Sequence, residues 1–597
     1  MPVLSSKEAT TVLQGGETGH APETRRPKSH AWLRFVFREE RFFLILSVFI
    51  GIFSGLAVVC FRFAIDLSRI YLLGGEIAAS PWRLLLAPTL AGLVIGALVL
   101  HVFPLARGSG VNQTKAALYI FNGHIPFRTA IGKFITASLA IGSGHSLGPE
   151  DPSLQIGAGL ASALGRRLHL SRDRMRLIAP VGAAAGLGAA FNAPISAVLF
   201  VIEEVIGRWS AGILGSVVLS AVSSVVVMRW FLGSQPLFRI PPVELIRPGE
   251  LIAYAVLGVV GGFASVVFAG GIGVLRPRMK RMPRWTQYFQ SAVAGLAIGG
   301  IALLGAPQVM GAGYDFIDQA IHNQFTWQFL GALVGLKIVA TVFSFVSGTP
   351  GGMFAPTLFI GAMLGAFVAG VEHNLFPHLA ISTGTYALVG MGVLFAGFLR
   401  APMTSVFMVL EVSGNYTIIL PVIVANTFAY VISRALQPIP IFDLLTRQDG
   451  IDLPSMEEQR EEDILRVEDA MHSPPNLVLD AEQTIVQAVQ QLQGNEAENI
   501  LVRRHHTGWN TITSRELRTM LSEGNGQLSV MTILPMREVP YLHPDQSLDV
   551  AMRYVYSWPV LPVVSRADLG KLEGVISKED VLKRYQDLGE YPEAGEE

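Results

Sequence analysis

Lys133-Phe134-Ile135-Thr136-Ala137, followed by Ser143-Gly144, Gly148 and Pro152-Ser153-Leu154-Gln155-Ile156-Gly157-Ala158, is written again 204 positions later. The second copy reads Lys337-Ile338-Val339-Ala340-Thr341, Ser347-Gly348, Gly352 and Pro356-Thr357-Leu358-Phe359-Ile360-Gly361-Ala362. The echo extends outward. Gly108-Ser109-Gly110 answers to Gly311-Ala312-Gly313, and Ala193-Pro194 with Phe200 and Glu203 answers to Ala401-Pro402 with Met408 and Glu411. Duplicated halves with Gly/Pro-interrupted apolar segments at matching places point to a transporter, with its binding site near the breaks.

Of 597 residues, 51% are hydrophobic and 15% charged, against about 25% charged in an ordinary soluble chain. Most of the charge lies before Glu40 and after Arg447. Runs such as Phe42–Phe61, Leu84–Val102, Ile213–Val227, Ala292–Leu304 and Phe329–Val346 reach or approach the roughly 20 apolar residues that span a bilayer. The chain reads as a polytopic membrane protein. Its net charge of −1 says nothing about partners, and no nucleic-acid partner is expected.

Residues 1–30 are polar, lack an apolar signal-peptide core and read as a disordered tail. Arg25, Arg26, Lys28, Arg34, Arg38 and Arg41 precede the first span. The positive-inside bias therefore puts the N-terminus in the cytoplasm, and the C-terminus is expected there too. The lone Cys60 excludes a disulfide within the chain and a multi-cysteine metal site; in its apolar run it reads as a small core residue. Trp82, Trp209 and Trp230 fit interfacial anchors.

The glycine clusters at Gly108, Gly148-Pro149, Gly311 and Pro350-Gly351-Gly352 should interrupt helices. Irregular backbone at membrane depth is tolerated where protein buries it or where it lines a wet cavity. Pro152 and Pro356 fit the first turn of the helices that follow. Helix starts facing a cavity offer free N–H groups and a positive dipole end, which suits an anion. Tight helix packing is the blander reading of either copy alone; the matching flanks argue for the anion.

With these residues in view, the stretch from about Arg34 to Leu445 resembles the CLC family of chloride channels and proton-coupled anion antiporters. The resemblance rests on Gly108-Ser109-Gly110, Gly148-Pro149-Glu150-Asp151-Pro152, Gly352-Met353-Phe354-Ala355-Pro356, and Asn192-Ala193-Pro194 with Glu203-Glu204. It implies a polytopic α-helical membrane protein with an inverted repeat of about 17–18 tilted helices. It also implies a homodimer with one pathway per protomer. Carried over by position, Ser109, Met353, Phe354 and Phe442 would bind the anion, with Ser109 favouring chloride over nitrate. Glu150 would be the external gate, as an intramembrane acid is a functional candidate by default. Asp151, directly before Pro152, reads as the cap of its own helix. Glu203 has a counterpart in Glu411 and reads as repeated scaffold bonded to helix ends. Glu204 faces Val412 in the repeat, so it is the candidate for internal proton transfer; its blander reading is a solvated acid at a helix end.

The chain departs from that family at three places. The gate segment usually reads Gly-Lys/Arg-Glu-Gly-Pro, whereas here Pro149 replaces the base and Asp151 adds an acid beside Glu150. The family's central tyrosine falls on Phe442, which cannot donate a hydrogen bond. Asn112 replaces a proline and can cap the next helix. His145, near the gate, joins Pro149 and Asp151 as a gate-modulating candidate, though a hydrogen-bonded structural histidine is the blander reading. Lys133 and Lys337 read as a repeat-related pair holding helix ends.

After Arg447 the composition changes. We expect a membrane region at 31–447 with repeats at about 42–235 and 249–436, a linker at 448–465, and a paired domain at 466–588 before a tail at 589–597. Leu479…Glu482-Gln483-Thr484 matches Leu542…Asp545-Gln546-Ser547, and Thr513-Ser514-Arg515-Glu516 matches Ser577-Lys578-Glu579-Asp580. This resembles tandem CBS domains of α/β fold. The resemblance implies adenine nucleotide binding at Thr513, Ser577 and Asp580, for which simple helix capping is the alternative. No phosphate-cradling Gly-x-x-x-x-Gly-Lys-Ser/Thr motif occurs, and no required cofactor or metal is expected.

The expected function is secondary anion/proton exchange, with chloride as the anion. A gated anion channel of the same fold is the alternative. A CBS-regulated cation transporter would need converging acids without amide-donating helix starts. An intramembrane enzyme built on His145, Glu150 and Asp151 lacks a matched nucleophile or metal spacing, so the chain is not expected to be an enzyme.

Overall fold

The computed structural model describes residues 29–74, 80–207, 211–238, 250–376, 382–451, 453, 465–492, 499–504 and 508–589. Most of the expected N-terminal tail and linker, the chain end from 590, and Trp209 lie outside the described residues.

Seventeen α-helices lie between Ser29 and Gln448 among the described residues. Seven helical stretches there are long and apolar enough to cross a membrane. The order of elements repeats. Pro81–His101 answers to Gln287–Leu303, Phe127–Gly142 to Trp327–Val346, Glu150–Arg167 to Phe354–Leu375, and Arg172–Phe191 to Thr383–Leu394.

The two copies meet at equivalent residues. Gly148 N donates to Gly352 O at 2.9 Å, and Gly352 N donates to Gly148 O at 2.8 Å, in an antiparallel bridge. Reciprocal bonds between equivalent residues place a local two-fold axis through that bridge, with the chain running in opposite senses on either side. This is the geometry of an inverted repeat.

Close packing follows from small residues at matching positions. A Cβ added at Gly157 would lie 3.0 Å from Gly186 N, and one at Gly361 would lie 2.8 Å from Met391 Cα. Helix pairs approach this closely only where side chains are absent. The helix Phe354–Leu375 is the most enclosed of the seven spans, with 83% of its apolar window buried against 39% for Pro81–His101. It lies at the centre of the membrane region.

One expectation about a single residue is corrected. Cys60 is exposed on the helix Ser29–Leu73, so it is not a core residue; in a membrane protein, apolar positions also face outward. Trp82 and Trp230 are exposed near helix ends, as anchors would be.

The C-terminal region holds two small α/β units. In the first, strand Leu479–Asp480 runs parallel to Asn499–Arg504, which pairs antiparallel with Gly508–Thr513. In the second, Leu542 bridges Val563 in parallel, and Val560–Val564 pairs antiparallel with Leu572–Ser577. Each unit has its own apolar cluster, one around Leu479, Ile485 and Val502, the other around Leu542, Leu548 and Val563. The duplication read in the sequence is thus a duplication of structure.

Candidate functional site

The site forms where four chain breaks converge. Gly110 (φ +115°) and Gly313 (φ +84°) precede the short helices Val111–Tyr119 and Tyr314–Ile321. That left-handed conformation is readily available to glycine alone. Lys133 Nζ fixes the first loop by donating to Gly108 O (2.6 Å) and Ser109 O (3.2 Å). Lys337 Nζ does the same in the second half, at Val309 O (2.9 Å) and Gly311 O (2.8 Å). Both lysines hold loop carbonyls at the helix starts.

Ser109 is buried, and its Oγ accepts from Val111 N at 3.2 Å. Asn112 therefore does not cap this helix; Gly110 is the N-cap residue, and Asn112 Oδ1 has no partner among the described residues.

Glu150 and Asp151 open the helix Glu150–Arg167, with Pro149 as its N-cap residue. Pro149 O accepts from Ser153 N at 3.0 Å. Both acids are fully buried, and both reach across the two-fold axis. Glu150 Oε2 accepts from Ala355 N at 3.3 Å, while its Oε1 accepts from Tyr314 Oη. Asp151 Oδ2 accepts from Met353 N at 3.0 Å. Asp151 thus caps the other half's helix and not its own, correcting the sequence reading. Antiparallel docking brings the two helix starts face to face, so a short side chain spans the gap.

Phe354 follows Met353 and lies at the centre of an aromatic cluster. Its ring centroid is 4.8 Å from that of Phe200 and 6.3 Å from that of Phe442. These three rings come from three different elements.

Glu203 and Glu204 ride on a π-helical turn, Val201–Ile206. Such a turn redirects neighbouring side chains and is frequent at functional sites. Glu203 Oε2 accepts from Thr404 N (3.0 Å) and Thr404 Oγ1 (2.7 Å), so it bonds a helix start, as expected of scaffold. Glu204 is buried, which rules out the solvated reading. Its Oε1 lies 3.4 Å from Lys115 Nζ, which also donates to Asp443 Oδ1 at 2.7 Å. Sequence reasoning missed Lys115, Asp443 and Tyr314. A lone lysine within the short helix that follows Gly-Ser-Gly was the available signal.

His145 is fully buried and engaged at both ring nitrogens, by Ser143 Oγ (3.2 Å) and Ser291 O (3.1 Å). The structure does not place a free imidazole nitrogen at the gate.

A cavity of about 290 Å³ leads to Ser109, lined by Arg107, Asn112, Gln113, Arg276, Lys280 and Asp449 among others. Asp449 Oδ1 is 2.7 Å from Arg276 Nη2 and also pairs with Lys280. Three cations against one carboxylate make this mouth attractive to anions.

In the C-terminal region, Thr513 and Glu516 form a reciprocal cap, as do Ser577 and Asp580. Asp580 Oδ1 also pairs with His472 Nε2 at 2.7 Å. The side chains expected to bind adenine nucleotide, Thr513, Ser577 and Asp580, are therefore engaged in these caps.

Comparison with known proteins gives a consistent picture. The family described as "Voltage gated chloride channel" matches residues 91–434, and "CBS domain" matches residues 530–587. A putative chloride channel protein ClcB-like of Ralstonia nicotianae is 32% identical over 403 residues, covering 66% of this chain and 94% of the relative. An H(+)/Cl(−) exchange transporter ClcA of Salmonella arizonae is 32% identical over 416 residues, covering 67% and 87%. Among solved structures, a slow cyanobacterial Cl−/H+ antiporter superposes with TM-score 0.63 at 25% identity, over 68% of this chain and 97% of that one. A eukaryotic CLC transporter shares the fold over 92% of this chain and 98% of its own, with TM-score 0.61 at 20% identity.

Proposed function

We propose, from the premise that this chain belongs to the voltage-gated chloride channel (CLC) family, that it exchanges chloride for protons across a membrane. The observation that carries this reading is Glu150, a buried carboxylate held on the Ala355 amide at the start of the most enclosed helix. A helix start that holds a carboxylate can hold chloride by the same N–H groups.

The division of labour follows from the chemistry of each position. The cationic cavity concentrates chloride and delivers it to Ser109. The amides of Met353 and Phe354 take over the ion's hydration. Glu150 blocks the path as a carboxylate and opens it when protonated and displaced. Glu204 carries the proton on the side where Lys115 and Asp443 stand. Phe442 closes the inner end by bulk without a hydrogen bond, which favours loose coupling.

The family membership also supports a homodimer with one pathway per protomer, cytoplasmic termini, and adenine nucleotide binding at Thr513, Ser577 and Asp580. The last would require the ribose to displace the Ser577–Asp580 cap.

The deciding experiment measures chloride and proton flux together in proteoliposomes. A chloride gradient should drive uphill proton movement in the wild type. Glu204→Gln should retain chloride flux and lose proton movement, and Glu150→Gln should lose coupling. Chloride flux with no proton movement in the wild type would leave a gated channel of the same fold.

A further inference from the structure

The amide of Met353 is already taken. Its acceptor is Asp151 Oδ2, 3.0 Å away, on a side chain with no solvent exposure. Since Ser109 Oγ accepts from Val111 N, its proton is free to point away from the loop. Asp151 Oδ1 has no hydrogen-bond partner among the described residues. Gly352 makes the arrangement feasible, because a Cβ there would lie 2.9 Å from Asp151 Cγ. Glu150 holds the amide two residues further on, at Ala355.

We propose that Asp151 is a second gate in series with Glu150: its carboxylate is the resident occupant of the central anion site, and chloride enters only by displacing it. This rests on the exchange reading of the site and deepens it. The Met353 amide and the Ser109 hydroxyl are the groups a chloride would need, and an anion of the chain's own holds the first of them. A carboxylate with one unbonded oxygen is an occupant that can leave, because departure breaks one strong contact and not a closed network. The two acids then clear two successive positions, Asp151 at Met353 and Glu150 at Ala355. This makes Asp151 a determinant of anion affinity and of turnover. The competing account is a brace, in which Asp151 only ties the two halves together.

The test is chloride binding by calorimetry on the purified full chain, together with chloride-dependent thermal stabilisation, which reports binding to the native state. Wild type is compared with Asp151→Gly and Asp151→Asn. The asparagine keeps an acceptor for Met353 N and guards against misfolding of the glycine variant. Both variants should bind chloride at least tenfold more tightly and show a larger chloride-dependent rise in melting temperature. Unchanged or weaker chloride affinity in both, with a lowered melting temperature without chloride, would overturn the gate in favour of the brace. Paired flux measurements separate the two proposals. Tighter binding in the variants with no proton movement in the wild type would sink exchange and leave the gate. Coupled flux with unchanged affinities would do the reverse.

Discussion

Glu203 and Glu411 exchange roles across the two-fold axis: each carboxylate bonds the start of a helix in the other's half. Glu203 accepts from Thr404 N and Oγ1, and Glu411 accepts from Ser196 N (2.8 Å) and Ser196 Oγ (2.5 Å). Thr404 stands in the second half where Ser196 stands in the first. The pair therefore tests the symmetry itself. Glu203→Gln and Glu411→Gln should each cost about 1–2 kcal/mol, as expected for partly buried charge-assisted bonds, and by similar amounts. Thermal unfolding of the two variants checks this; a loss confined to one would show that the halves are not equally braced.

Lys115 is the only cation among the described residues paired with Glu204 and Asp443. Removing one partner of a buried ion pair costs about 3–5 kcal/mol, because the remaining charge stays desolvated. Lys115→Met should lower the melting temperature strongly. Adding Asp443→Asn should recover part of that loss. Additive losses in the double variant would mean that the two side chains do not share an interaction.

Gly148 lies against the Glu150 carboxylate. A Cβ there would collide with Glu150 Oε2 and approach Ala355 Cβ to 2.8 Å. Gly148→Ala should therefore push the carboxylate off the Ala355 amide. Chloride flux is expected to rise several-fold while protons moved per chloride fall. Unchanged flux and coupling in a folded variant would count against Glu150 as the gate.

In the C-terminal region, burial alone would raise the Asp580 carboxyl, but hydrogen bonds from Ser577 Oγ, Ser577 N and His472 outweigh it and hold the group below its ordinary 3.8. A depressed carboxyl stabilises the fold above its unfolded value and loses that contribution as pH falls through the folded one. Protection of the amides around 577–581 from hydrogen exchange should thus be steady down to about pH 4 and fall below it. Asp580→Asn should remove this acid dependence, and Ser577→Ala should cost about 1 kcal/mol, the usual worth of an N-cap. Wild-type and Asp580→Asn proteins with identical profiles would show that the cap does not titrate.

Much of the membrane fold was legible because each half repeats one folding problem. Apolar runs, glycine breaks and proline starts are local signals, and they recur in the same order in both halves. The same alignment of the halves separated Glu203, which has a counterpart, from Glu204, which has none, and the structure places the first on a helix start and the second beside a lysine. The resemblance carried by the motifs named the family. Cys60 went wrong because alternation between lipid-facing and core-facing positions leaves no polarity contrast along a span. Asn112 went wrong because the loop serine, one residue before the N-cap position, bonds the first helical amide.

The sequence by itself determined that the chain spans a membrane, that its halves are equivalent, and that one half alone carries acids at its helix start. Only the tertiary structure decided where those acids point. Asp151 bonds Met353 across 202 positions, and Lys115 joins Glu204 to Asp443 from three distant parts of the chain. The physical reason is that a helix and its start are written in neighbouring residues. Which amide a carboxylate finds depends on how two halves dock about a shared axis, and no local pattern encodes that.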